Sequence, residues 1–128
     1  SDPIWPTQVE ARATADQWMD WQSSTLWTHM RPLFWQLVRT AAEARDQTVI
    51  ESARKNTLAS LQILDAHLGA NRFVAGDRFS LGDIPVGAAT QRWMSFAIER
   101  PSLPHLDAWY AKLSEREAFR QQVMLPLT

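Results

Sequence analysis

The sequence predicts an all-α fold, a helical bundle of about five or six helices without strands. Three observations carry that prediction. Glycine occurs only four times, against many Ala, Leu, Gln, Glu and Arg, a balance that favours helix. Between Asp46 and Leu68 the residues Ile50, Ala53, Thr57, Leu61, Leu64 and Leu68 recur at three- and four-residue steps, one face of a helix. Glu51, Arg54, Lys55, Asn56 and Gln62 fall on the opposite face. Finally, no stretch alternates apolar and polar residues with β-branched enrichment, the pattern of a half-buried strand.

The totals bound the rest. At 128 residues the chain is expected to form one domain, 1–128, large enough to bury a core. Apolar residues make up 45% and charged residues 21%, ordinary globular values. A net charge of −1 lacks the basic face that nucleic acid requires. With no cysteine the chain has neither disulfides nor thiol chemistry. No apolar run approaches membrane-spanning length, and Ser1–Pro6 lacks the basic start and apolar core of a signal peptide. The expected location is cytoplasmic. Seven Trp against one Tyr imply large, rigid packing surfaces.

Taken in order, Pro3 and Pro6 hold the first residues extended. Thr7 to Glu10 reads as a capping box. The helix that follows carries Ala11, Ala15, Trp18, Met19, Leu26 and Met30 inward, with Trp21 and Trp27 alongside, an apolar face too wide for a single neighbour. Pro32 interrupts, because an interior proline removes a hydrogen bond and clashes one turn back. The first helix is expected to end near His29–Arg31 and a second to run from Pro32 to Arg39; a kinked continuous helix is the alternative. The Asp46–Leu68 helix then ends on Gly69, expected as its left-handed cap. Ala75-Gly76-Asp77 reads as a turn. Next comes a helix start written twice over. Ser80 is placed to cap the N–H of Asp83, Asp83 to reach back to the N–H of Ser80, and Phe79 with Ile84 to close as a hydrophobic staple. The helix from Ser80 to about Ile98 is apolar nearly all round and therefore buried, Gly87 and its alanines allowing close approach. Leu106, Trp109, Tyr110 and Leu113 form another stripe. Ser114 to Glu117 reads as a third capping box, opening a last helix with Phe119 and Val123 inward and Pro126 as its stop.

Little in this pattern is catalytic. His29, His67 and His105 are scattered without metal-ligand spacing, so no metal site is expected. There is no nucleophile elbow, phosphate loop or dinucleotide motif, and no catalytic residue is assigned. The physical hint of function is the wide Trp/Met face, which calls for a partner, a second domain or an apolar ligand.

The stretch Phe73-Val74-Ala75-Gly76-Asp77-Arg78-Phe79-Ser80-Leu81-Gly82-Asp83-Ile84-Pro85 resembles the helical C-terminal domain of bacterial-type cytosolic glutathione S-transferases, with Gly82 where Ala is usual. The likeness continues through Pro101–Tyr110 and Arg116–Phe119, and Trp18–Gln22 with Arg31–Phe34 is similar to the family's long first helix. It implies that the thioredoxin-like N-terminal domain, which binds and activates glutathione, is absent from this chain. Glu51-Ser52 imitates that domain's glutathione-holding turn but lies mid-helix.

By the same resemblance this domain supplies the wall against which an apolar electrophile lies, and the subunit contacts of a homodimer. It places substrate-binding residues at Gln22, Trp27, Thr28, Arg31, Trp93 and Phe96. Asp20 and Thr25 fall where such enzymes reach toward the co-substrate glutathione of the partner subunit, and Ser80 and Asp83 are the structural N-cap. Family members with a His-Lys pair at Trp27-Thr28 use it at the thiolate; its replacement here favours an aromatic binding wall. The expected function is that of a glutathione transferase part, inactive alone, with the missing domain and a small electrophile as partners. The alternative is a non-catalytic module for protein–protein association, such as the same domain forms in translation factors.

Overall fold

Helix starts at Val9 and persists, with changes of pitch but no break, to Arg39. The computed structural model describes residues 8–123, with Ala118 and Gln122 described by backbone alone; the expected Thr7 cap and Pro126 stop lie outside these residues. Helix α1 spans Val9–Trp21, and a π-helical turn, Gln22–Leu26, leads directly into α2, Trp27–Phe34. A second π-helical turn, Trp35–Arg39, follows. The expected break at Pro32 does not occur, and the continuous helix is the form adopted. The reason is local: the N–H of Trp27 reaches five residues back to Gln22, and widened turns flank the proline on both sides. A ladder already loosened tolerates one missing donor. The chain leaves helix at Thr40, extended at φ −111° and ψ 131°, whose hydroxyl donates to the Trp35 carbonyl (2.9 Å).

Helix α3, Gln47–Ala70, is capped by Asp46, which accepts from the N–H groups of Thr48 (2.9 Å) and Val49 (3.3 Å). Its periodic residues Ile50, Ala53, Thr57, Leu61, Leu64 and Leu68 are all buried. Gly69 proves to be helical rather than a left-handed cap. A Cβ there would stand 3.0 Å from the His105 ring, so its role is to let α5 approach. The left-handed glycine is Gly76 (φ +136°), in the turn where Phe73 and Gly76 exchange two backbone hydrogen bonds. That bridge is isolated; the described residues form no strand.

Helix α4, Asp83–Ser95, runs through the centre, its Val86, Ala89, Thr90 and Trp93 buried. It stops short of Ile98 because Phe96 turns extended (ψ 142°), and Arg100 donates to the carbonyls of Trp93 (3.2 Å) and Phe96 (2.6 Å). Helices α5, Pro104–Ser114, and α6, Glu117–Gln122, complete the fold. The third capping box does not form: Ser114 ends α5, its hydroxyl on the Tyr110 carbonyl (2.8 Å), and α6 opens without a side-chain cap. A Cβ on Gly87 would come within 2.7 Å of Phe119 and 2.8 Å of Leu113, so α5 and α6 close on α4 only because that residue is glycine. Helices α2 and α5 both pack on α3, and α4 touches α1, α2 and α5. Leu26, Met30, Leu33, Leu61, Leu64, Val86, Trp93, Leu106, Trp109 and Leu113 meet in the core.

Candidate functional site

Two places concentrate polar chemistry. One is buried beneath the start of α4. Asp83, wholly inaccessible, accepts from the N–H of Val74 (3.0 Å) and the indole N–H of Trp109 (2.8 Å) on one oxygen. Its other oxygen accepts from the Ser80 N–H (2.8 Å) and hydroxyl (3.4 Å). The reach of Asp83 back to Ser80 is the expected one. The Ser80 hydroxyl, however, accepts from Gly82 N–H (3.2 Å), while Asp83 N–H donates to the Ser80 carbonyl (3.0 Å). Helix proper therefore starts at Asp83 rather than Ser80. Phe79 packs edge-on to Phe73 (6.2 Å between ring centres) beneath the Arg116 guanidinium (4.0 Å). Burial raises the Asp83 carboxyl above its ordinary value, against the opposing pull of the Val74, Trp109 and Ser80 donors. The Val74 carbonyl continues the network, accepting from His67 Nε2–H (2.8 Å), whose ring stacks on Trp18 at 4.5 Å. The site has no opening and serves the fold.

The second place is a groove of about 700 Å³ lined by Ser23, Trp27, Thr28, Arg31, Pro32, Trp35, Gln36 and Val49. Trp35 stands 58% exposed on it. From its wall the rings continue inward: Trp27 lies 5.8 Å from Phe34, and Phe34 6.5 Å from Phe96. Arg92, from the last turn of α4, covers both outer rings, 5.1 Å above Trp27 and 5.9 Å above Phe34, and Arg39 stands 5.7 Å over Phe34.

This arrangement brings together Trp27, Thr28 and Arg31 along one groove, with Phe96 joined to them through Phe34. Trp93 and Phe96 are buried in the core, and Trp93 lines a separate cavity of about 180 Å³ with Leu103 and Leu106. Gln22 and Thr25 are half-buried in the first π-helical turn, and the exposed Asp20 offers its carbonyl to the hydroxyls of Ser23 (3.2 Å) and Ser24 (2.6 Å). Among the described residues no cluster of His, Asp or Glu could hold a metal ion. Glu51 faces solvent, its carboxyl held below the usual range chiefly by Arg54 (2.6 Å).

The family model described as "Glutathione S-transferase, C-terminal domain" matches residues 25–117. The chain belongs to the glutathione S-transferase C-terminal domain family. Relatives agree. Glutathione S-transferase GstB of Escherichia coli strain K12 is 35% identical over 125 residues, covering 98% of this chain and 60% of that protein. Glutathione S-transferase 3 of Zea mays is 29% identical over 117 residues, 87% of this chain and 52% of that one. Among solved structures, the theta class glutathione S-transferase of Xanthomonas axonopodis pv. citri with glutathione bound superimposes with a TM-score of 0.94 at 42% identity, covering 98% of this chain and 60% of that one. This glutathione S-transferase domain thus spans about 60% of the length of the bacterial relatives it matches.

Two positions that shape the fold and the groove wall escaped sequence reasoning. Asp65 of α3 accepts from the N–H groups of His105 and Leu106 (2.9 Å each) and so caps α5 across forty residues. The hint was that Leu103-Pro104 opens a helix with no Ser, Thr, Asp or Asn to cap it. Arg92 was the other, the single cation of α4.

Proposed function

We propose that the chain, as one domain, forms the electrophile-binding wall and the subunit contacts of a homodimeric cytoplasmic glutathione transferase, whose thioredoxin-like domain holds glutathione. The groove with its Trp27–Phe34–Phe96 ring series carries this reading. Flat aromatic walls desolvate an apolar electrophile and hold it where a thiolate arriving from the partner domain attacks carbon. Gln22, Thr28 and Arg31 supply polar edges, Trp93 and Phe96 support the wall from the core, and Asp20 and Thr25 face the glutathione side. The domain provides no thiolate-activating group, so it does not catalyse by itself. No described helix is long and apolar enough to cross a membrane. The test is conjugation of 1-chloro-2,4-dinitrobenzene. The 128-residue chain is expected to give no rate above that of glutathione alone, and the parent protein a clear one. Catalysis by the isolated chain overturns the division of labour.

A second reading, a non-catalytic association module, draws on the exposed indole of Trp35. The parent gene decides between them. A thioredoxin-like segment with a Ser, Tyr or Cys near its first strand supports the enzyme, and a parent without one supports the module.

A further inference from the structure

The arginines of this domain fall into two kinds. Some are spent on structure: Arg45 donates to the carbonyls of Leu37 and Thr40, Arg100 to those of Trp93 and Phe96, and Arg54 to Glu51. Arg92 is not. Its half-buried guanidinium lies over the rings of Trp27 and Phe34, and no hydrogen bond or carboxylate among the described residues takes up its N–H groups. Arg39 over Phe34 and Arg31 in the groove likewise have no carboxylate within 4.0 Å among the described residues. Among the described residues no acid lines the groove. Three cations around an aromatic wall, one of them half-desolvated with planar donors unspent, form a receptor for a planar anion.

We propose that the electrophile this wall receives is an aromatic carboxylate. Its ring lies against Trp27, and its carboxylate is taken by Arg92 with Arg31 and Arg39 adding field. The inference rests on the electrophile-wall reading and names its substrate class. The carboxylate takes no part in the bond change. In the parent enzyme the glutathione sulfur forms a bond to the ring carbon, and chloride leaves with its electron pair.

Quenching of tryptophan fluorescence by two probes tests it on the chain as it stands: 4-chloro-3-nitrobenzoate, and neutral 1-chloro-2,4-dinitrobenzene. The carboxylate is expected to bind about tenfold more tightly, one charge-assisted hydrogen-bond pair. That ratio should collapse toward one in Arg92→Gln and fall only partway in Arg92→Lys, which keeps the charge but loses the planar fork, with circular dichroism showing both variants folded. Equal binding of the two probes to the unmutated chain overturns the anion proposal and leaves the wall reading standing. So does a ratio that Arg92→Gln leaves intact. Binding of neither probe overturns both.

Discussion

Asp83 shows how much one buried carboxylate can organise. Its two oxygens take four donors from the loop, from its own helix start and from α5. Asp83→Ala leaves the N–H groups of Val74, Ser80 and Trp109 unpaired in the interior. At about 1–3 kcal/mol for each orphaned donor, partly relieved by relaxation, the expected loss is about 3–5 kcal/mol. Urea denaturation measures it, and a variant as stable as the parent removes Asp83 from its central place. The carboxyl also predicts a pH dependence. Its folded pKa is raised, so folding favours the protonated form. The stabilisation is complete below the unfolded value of about 3.8 and is lost as pH rises through the higher folded value. The stability of the parent relative to Asp83→Asn, whose side chain does not titrate, should therefore be greatest in acid and shrink toward neutrality. A difference that grows with pH would reverse the sign.

The helices are held to one another by contacts that propensity does not describe. Asp65 is an N-cap lent by α3 to α5, and Asp65→Ala should cost about 1 kcal/mol. Hydrogen exchange at His105 and Leu106 should accelerate more than at α3 amides, which a general loosening would not produce. Gly87 belongs to the same class. Gly87→Ala drives a methyl into Phe119 and Leu113 and is expected to cost about 1–3 kcal/mol of overpacking. The short α6 should yield first, becoming cleavable by protease while α3 stays intact. The continuous passage from Val9 to Arg39 is also a property of elements in context. Pro32 alone argues for a break. Two π-helical turns and the packing of α2 on α3 overrule it. In consequence Trp27, Arg31 and Trp35 share one helical face and one groove.

At the scale of the molecule, that groove divides stability from binding. Trp35 is largely solvated, so Trp35→Ala should leave stability within about 0.5 kcal/mol while weakening fluorescence-detected binding of an aromatic electrophile. A large loss of stability instead would make Trp35 part of the core. The helical class, the amphipathic face of α3, the buried α4 and the reach of Asp83 to Ser80 were all legible in sequence. Each follows from spacing within one turn or a few, and local periodicity determines it. The resemblance borne by Phe73–Pro85 named the family for the same reason, since a short motif keeps its residues in order. What tertiary structure alone decided are the contacts between distant segments. These are the Asp65 cap on α5, the Trp109 donor on Asp83, the place of Gly69 beneath His105 and the position of Arg92 above Trp27 and Phe34. A residue's spacing reports which face it occupies, but not which residue of another helix packing will bring against that face.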